Sequence, residues 1–386
     1  MPTPSRPPPD ADVFIECEPD PSLLPFEASN VMACPPLGGL FIPAGETWIL
    51  DTDAATLREN ADAPRPLEAA HFAIQDDAPE ILVASWDDVQ IEEGGTLRVV
   101  GDRAAALIST TSIDIDGTLD ASAEAASAGP GADHASACAD GFGDDGERQT
   151  AHLNAAGSGG GGGGYGEAGG DGAPVVDNDG DPVGDPSAGG ASHGEDALSP
   201  LRGGCRGGEG GRSGGLGGAG GGALQLVAAE DIHIDDTGVV TVSGGGGREA
   251  GSDRRGGGGG GSGGALLLEA SGVSIEGALT ANGGGGGEGR RGFALADPGA
   301  DGFPASADPA PGGSRNTVGG DGGDGGARDI AAEDGDVGDN GTFSSSPGGG
   351  GGGGGVGRIR IGSCEDADID SDVLSPSAAL ASLSCS

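Results

Sequence analysis

The chain contains no lysine; its 18 basic residues are all arginine, and they face 62 aspartates and glutamates, for a net charge of −44. That balance argues against nucleic acid as a partner, because phosphate binding needs clustered positive charge. Without lysine, none of the glycine runs is a phosphate-binding P-loop. Aromatic residues make up only 3%, so platforms for stacking on a sugar ring are scarce. No apolar run is long enough to cross a bilayer. The six cysteines include no Cys-x-x-Cys pair, which speaks against a zinc ribbon or a dithiol redox motif. Residues 1–12 are rich in proline and aspartate and lack the apolar core of an export signal.

What the chain has in abundance is glycine, 87 residues of 386. Glycine is costly to order and brings no side chain to bury. One large globular core is therefore excluded, and order must concentrate in short apolar segments. The acidity reads first as solubility, with salt adaptation and divalent-cation binding as the sharper alternatives.

Those apolar segments repeat. The clearest copies are Ser112-Ile113-Asp114-Ile115-Asp116-Gly117-Thr118-Leu119-Asp120-Ala121 and Val273-Ser274-Ile275-Glu276-Gly277-Ala278-Leu279-Thr280-Ala281. Five units align on Val83/Val89/Ile91/Leu97, Ile108/Ile113/Ile115/Leu119, Leu226/Ile232/Ile234/Val240, Leu268/Val273/Ile275/Leu279 and a degenerate Ile361/Ala367/Ile369. Within each strand the apolar spacing is two, the β period. A unit of roughly 20 residues with short strands suits one coil of a stacked architecture. The expected fold is therefore all-β, a right-handed parallel β-helix (β-solenoid) with long glycine-rich loop insertions.

The expected organisation follows. Residues 1–36 form a Pro-rich acidic segment with a cysteine pair, and 37–122 a cap and the first coils. Residues 123–222 are an insertion, 223–282 central coils with a short insertion at 244–264, 283–356 another insertion, and 357–386 the last coil and cap. A short helix is expected near Ala54 to Asn60. Glycine runs at 159–164, 244–247, 256–261, 283–287 and 348–355 lie beside the insertion points. They read either as flexible linkers or as stems packed side by side in extended, polyproline-II-like form.

The phrases Thr111-Ser112-Ile113-Asp114-Ile115-Asp116-Gly117-Thr118-Leu119-Asp120-Ala121, Gly260-Gly261-Ser262-Gly263-Gly264-Ala265-Leu266-Leu267-Leu268-Glu269-Ala270 and Gly355-Val356-Gly357-Arg358-Ile359-Arg360-Ile361 resemble the coils of uncharacterised glycine-rich β-helix surface proteins of myxobacterial type. More distantly, the pattern is similar to filamentous-haemagglutinin-type adhesins and pectate-lyase-type β-helices. The resemblance covers about half the chain and implies a cell-surface location. It implies little about activity, since function resides in sites and not in scaffolds.

No catalytic set stands out. Glycoside hydrolysis needs two carboxylates flanking the bond, and Asp235-Asp236 with the later Arg358-Ile359-Arg360 is the nearest approach to a polygalacturonase pattern. That family's Asn-Thr-Asp and Gly-His-Gly motifs are absent from the sequence. Asp235 and Asp236 are the residues to test if the chain is an enzyme; turn chemistry is their plainer role. His71, His134, His152, His193 and His233 show no metal-ligand spacing. The candidate metal site is Asp177-Asn178-Asp179-Gly180-Asp181 with Asp185: Asp177, Asp179, Asp181 and Asp185 offer oxygens around a glycine turn for Ca²⁺, against a plain solvated loop. No other cofactor is expected.

The cysteines fall in local pairs, which suggests, among the 15 connectivities six cysteines allow and against six unrelated thiols, disulfides Cys17–Cys34, Cys138–Cys205 and Cys364–Cys385 and with them an oxidising, extracellular or cell-surface setting. The expectation is a non-catalytic structural or adhesive surface protein with polysaccharide or cell-envelope components as partners. The alternatives are a polysaccharide-active enzyme of pectate-lyase or polygalacturonase type and a mostly disordered matrix protein.

Overall fold

The structure, a computed structural model, describes residues 17–151, 154–177, 181–293, 295–315, 318–339 and 346–386. Alternation sets its strands. In Ile113–Ile115 both isoleucines are buried and Asp114 is half-exposed between them, as a two-residue side-chain period requires. Strand pairing then lines up the apolar faces in rows. Val89 pairs with Ile113, Ile113 with Ile232 and Ile232 with Val273. Two residues on, Ile91, Ile115, Ile234, Ile275 and Ile369 form the next row. In a second sheet Trp48, Leu97, Leu119, Val240, Leu279 and Leu374 form a third. These rows pack into one core, with about 2–3 kcal/mol of transfer free energy for each fully buried Ile or Leu.

The strands Ala223–Ile234 and Ala265–Ile275 begin with segments buried on both faces. Leu224, Leu226, Leu266 and Leu268 join the main core, while Val227 and Leu267 meet a second cluster with Phe26, Val31, Tyr165 and Leu198. Two covered faces account for the unbroken run Ala265-Leu266-Leu267-Leu268. The register here differs by one residue from the sequence alignment. Leu226 pairs with Leu107, and Ile108 pairs with Val227 and turns to the second cluster, because a one-residue slip exchanges the faces of a strand. The N-terminal segment is fastened over this face by a buried polar group. The Glu269 carboxylate accepts from Gln225 Nε2 (2.7 Å) and from the Ser29 amide (3.0 Å).

The expected right-handed parallel β-helix is not the architecture formed. Among the described residues the chain makes four separate sheets, of eleven, eight, two and two strands, and none is wound as a solenoid. Antiparallel pairs are mixed with parallel ones: Thr47–Asp51 with Thr56–Glu59, Thr56–Glu59 with Arg65–Pro66, Ala70–Ala73 with Ile81–Trp86, and two isolated hairpins within residues 148–183. The physical reason is that a repeat fixes which strands are neighbours but not how the sheets close. Between Thr47 and Trp86 the chain doubles back on itself, and Ala54 to Asn60, expected as a helix, contains the strand Thr56–Glu59. No α-helix occurs among the described residues.

Most of the remaining chain is held by glycine amides. Gly160 donates to the Gly257 carbonyl and Gly163 to Gly260; Gly257 donates to Gly349 and Gly260 to Gly352; Gly352 donates to Gly160 and Gly355 to Gly163, all at 2.8–3.0 Å. Three chain segments thus bond in a cycle that advances by three residues, the period of a polyproline-II helix, which has no internal hydrogen bonds of its own. Residues between these bond outward: Gly161 to Asp144, Gly162 to Gly170, Gly258 to Arg248, Gly351 to Gly287. The packed-stem reading describes this arrangement, and the free-linker reading does not. The strands set its register, since Arg358 pairs with Ala265 and its amide donates to Gly264, directly continuous with Gly263 donating to Gly355. Glycine is required by close approach. A Cβ built on Gly159 would fall on the carbonyl of Gly350, and one on Gly351 on that of Gly258.

Such a layer ends in amides with no further strand to accept them, and an unpaired buried amide costs about 1–3 kcal/mol. Carboxylates accept many of these. Asp301 Oδ1 takes the amides of Ala125 (2.9 Å) and Gly246 (2.7 Å), Asp171 Oδ1 that of Gly189 (2.8 Å) and Asp324 Oδ1 that of Gly312 (2.7 Å). Fully buried Glu288 Oε2 takes those of Asp297 (2.8 Å) and Arg315 (3.0 Å). Part of the chain's acidity is therefore structural.

Asp133 makes this testable. Its Oδ1 accepts from the Gly220 amide (3.2 Å), and burial pushes its carboxyl up to about 6, against the lowering effect of that bond and of Arg206. Between the ordinary carboxyl value and about 6 the folded chain holds a proton that the unfolded chain has lost. This group's contribution, about 3 kcal/mol, is thus present at low pH and lost as pH rises through that window. Asp133→Asn is expected to flatten the urea-unfolding stability between about pH 4 and 6.5 and to raise it at pH 7 by about 1–3 kcal/mol. An unchanged pH profile would show that Asp133 is well solvated.

Candidate functional site

Asp235 and Asp236 occupy an exposed turn between the strands Ala223–Ile234 and Val239–Thr241. The two carboxyls share a hydrogen bond, which holds Asp235 below and Asp236 above the usual carboxylate value. Thr237 Oγ1 donates to the Asp116 carbonyl (2.8 Å), and the amide of Gly238 to that of Asp235 (2.8 Å). The first contact ties the turn to the one before it, and the second closes the turn itself. Stacked turns bring more acids to the same edge: burial and the charge of Asp235 raise Asp116, and Glu276 and Glu93 add to the field on Asp236. An open cavity of about 520 Å³ on this edge is lined by Asp236, Glu276, Asp370, Ser371 and Asp372. The edge can repel anions and attract cations. The two adjacent carboxylates do not face each other across a space for a sugar, as hydrolysis would require.

Asp177 and Asp181 are brought together at the tip of the hairpin Val175–Val176/Pro182–Val183. Asp177 Oδ1 accepts the Asp181 amide (3.0 Å), and the Asp177 amide donates to the Asp181 carbonyl (2.9 Å). The Asp185 carbonyl accepts from Gln149 Nε2 (3.2 Å). Asp179, with Asn178 and Gly180, lies outside the described residues, as does His152.

Disulfides join Cys17 to Cys34, Cys138 to Cys205 and Cys364 to Cys385, with Cα separations of 6.0, 5.7 and 5.8 Å. The first anchors the N-terminal segment, whose Cys17 amide donates to Ala70. The third anchors the C-terminal strand, where Leu383 donates to Ser363. Each closure of this kind contributes about 2–4 kcal/mol, chiefly by restricting the unfolded chain.

Two histidines that sequence spacing does not connect to anything sit against these bridges. His71 Nδ1 lies 3.3 Å from Cys34 Sγ and 3.8 Å from Cys17 Sγ. His193 Nε2 lies 3.5 Å from Cys205 Sγ, with Nδ1 3.2 Å from the Ala191 carbonyl and the ring edge-on to Tyr165 at 5.2 Å. Burial lowers the His193 pKa and pushes that of Tyr165, the chain's single tyrosine, up to about 12. His233 lies partly exposed on the outer face, with Nε2 3.8 Å from Asp235 Oδ2; His134 Nδ1 is 3.2 Å from Ser136 Oγ. A cleft of about 820 Å³ runs beside His71, between Leu24, Phe26 and Met32 with Glu27 and Asn30 on the N-terminal segment and Phe72 and Ile74 on the sheet edge.

No helix among the described residues is long and apolar enough to cross a membrane. Comparison of the chain with protein-family models, with curated proteins and with solved structures gives no match.

Proposed function

We propose that the chain is a non-catalytic structural or adhesive protein that works outside the cell, with polysaccharide or other envelope material as its partner. The observation that carries this reading is the layer of cross-bonded glycine segments fused in register to the strands. It commits about half of the chain's length to a backbone-held body with acidic turns on its surface. The three disulfides are compatible with an extracellular location. The Asp235–Asp236 pair, the foremost enzymatic candidate, is engaged in its own turn.

The test is a glycan array that includes acidic polysaccharides, probed with and without Ca²⁺, with each bound glycan followed for chain shortening. Binding without shortening is expected. Dependence on Ca²⁺ would direct attention to Asp177 and Asp181. Shortening that disappears in Asp235→Asn or Asp236→Asn would overturn the reading in favour of a polysaccharide-cleaving enzyme.

A further inference from the structure

Two of the three disulfides share a feature beyond the cross-link: a histidine nitrogen faces the sulfurs. In Cys138/His193/Cys205 the three ligand atoms lie within 4.8 Å of one another, and Cys17/Cys34/His71 repeats the arrangement elsewhere in the fold. A tetrahedral Zn²⁺ with bonds of about 2.3 Å to sulfur and 2.0–2.1 Å to nitrogen separates those two ligand atoms by about 3.6 Å. The observed nitrogen–sulfur distances of 3.5, 3.3 and 3.8 Å already match that geometry. The sulfurs, bonded to each other in the disulfide, have to separate, and Cys138 Sγ has to settle within the 4.8 Å that already encloses the three ligand atoms; both changes need rotation of cysteine side chains.

The surroundings of the first cluster add a second argument. His193 Nδ1 lies at 3.2 Å from the Ala191 carbonyl. A proton on Nδ1 donated to that carbonyl leaves the Nε2 lone pair aimed at Cys205. Such a backbone contact is how proteins orient metal-bound histidines. Both cysteines are fully buried. Gly141 leaves room beside them, since a Cβ there would collide with the His193 ring and approach Cys205 Sγ. Tyr165 packs edge-on against the ring, with centroids 5.2 Å apart.

We infer that Cys138, Cys205 and His193 form a soft-metal site in the dithiol state, taking Zn²⁺ with one position left for water, and that Cys17, Cys34 and His71 form a second. Reaching that state requires a reductant. A phosphine with water takes up the oxygen, and the sulfur–sulfur bond accepts two electrons and two protons to give two thiols. Zn²⁺ then displaces those two protons on binding the thiolates.

The experiment uses the full chain, reduced with a phosphine and titrated with Co²⁺ as the spectroscopic stand-in and then with Zn²⁺. The oxidised chain serves as the control for cations held loosely by the acidic surface. Thiolate-to-cobalt charge-transfer bands are expected only after reduction. Affinity should fall at the affected site in His193→Ala, and likewise in His71→Ala, by at least the roughly 10- to 100-fold that loss of a mere outer-shell partner causes. X-ray absorption at the zinc edge of the reduced wild type supplies a readout that needs no variant, and a shell of mixed sulfur and nitrogen is expected. Absence of the bands after reduction, bands unaltered in both histidine variants, or a shell without nitrogen would overturn the inference.

Discussion

Ile234→Asp is expected to remove about 5 kcal/mol or more of the protein's stability. Ile234 is fully buried and stands in a row with Ile91, Ile115 and Ile275. The substitution removes an apolar side chain, costing about 3 kcal/mol in transfer and cavity terms. It also places a carboxyl among methyl groups, where it must either be protonated or stay charged without a partner. Together these reach about 5 kcal/mol or more, the upper end of what one substitution does, against a total stability that for most domains is about 5–15 kcal/mol. Ile234→Val, which keeps the face and loses one methylene, should cost about 1 kcal/mol. Urea unfolding followed by circular dichroism separates the cases. An aspartate variant within about 2 kcal/mol of wild type would mean that this row is not packed as described.

The same row shows what the sequence reveals and where it stops. The two-residue period places Ile113 and Ile115 on one face, and the spacing of the units brings Ile113, Ile232 and Val273 to equivalent positions. Pairing puts those three side by side. Where both faces of a strand are covered, the period carries no information about which residue faces which way, and Ile108 is misplaced by one. The closure of the sheets is illegible for a related reason. Nothing in Thr47-Trp48-Ile49-Leu50-Asp51 says whether its next neighbour runs parallel or doubles back, and the observed antiparallel pairing with Thr56–Glu59 turns on a bend at Ala55, a non-glycine residue with φ of +49°.

The cysteine pairing follows from chain proximity and was legible. The histidines beside two of the bridges were not, because His71 is 37 residues from Cys34 and only the folded chain joins them. The carboxylates are a similar case. Composition shows an excess of acid and gives solubility as its reason, while the acceptor roles of Asp301, Asp324 and Glu288 depend on where the glycine layer ends.

That layer yields the second large effect. A glycine run has no apolar side chain to bury, so its stability rests on amide pairing and on backbones approaching more closely than any Cβ permits. Gly260 is at the centre of this arrangement. Its amide donates to Gly352 (2.9 Å), its carbonyl accepts from Gly163 (2.8 Å), and a Cβ on it would meet the backbone carbonyl of Gly284. Backbone cannot rotate out of the way as a side chain does. Gly260→Ala must therefore push a neighbouring segment aside and strain several bonds at once. The expected loss is about 3 kcal/mol or more, well beyond the usual effect of adding a single methyl group. Gly251 provides the opposite case, since it is exposed with nothing within 4 Å of a Cβ. There, alanine only reduces the freedom of the unfolded chain, and Gly251→Ala should be neutral or stabilising by up to about 1 kcal/mol. Amide hydrogen exchange checks the premise directly. Slow exchange is expected at Gly160, Gly257, Gly260 and Gly352, and it should be lost in Gly260→Ala before the strand amides of Ile113–Ile115 open. Fast exchange along all the glycine runs of the wild type would mean that the segments are flexible linkers after all. Equal stability of the two alanine variants would lead to the same conclusion by an independent route, because only a packed layer distinguishes a glycine at its centre from one in solvent.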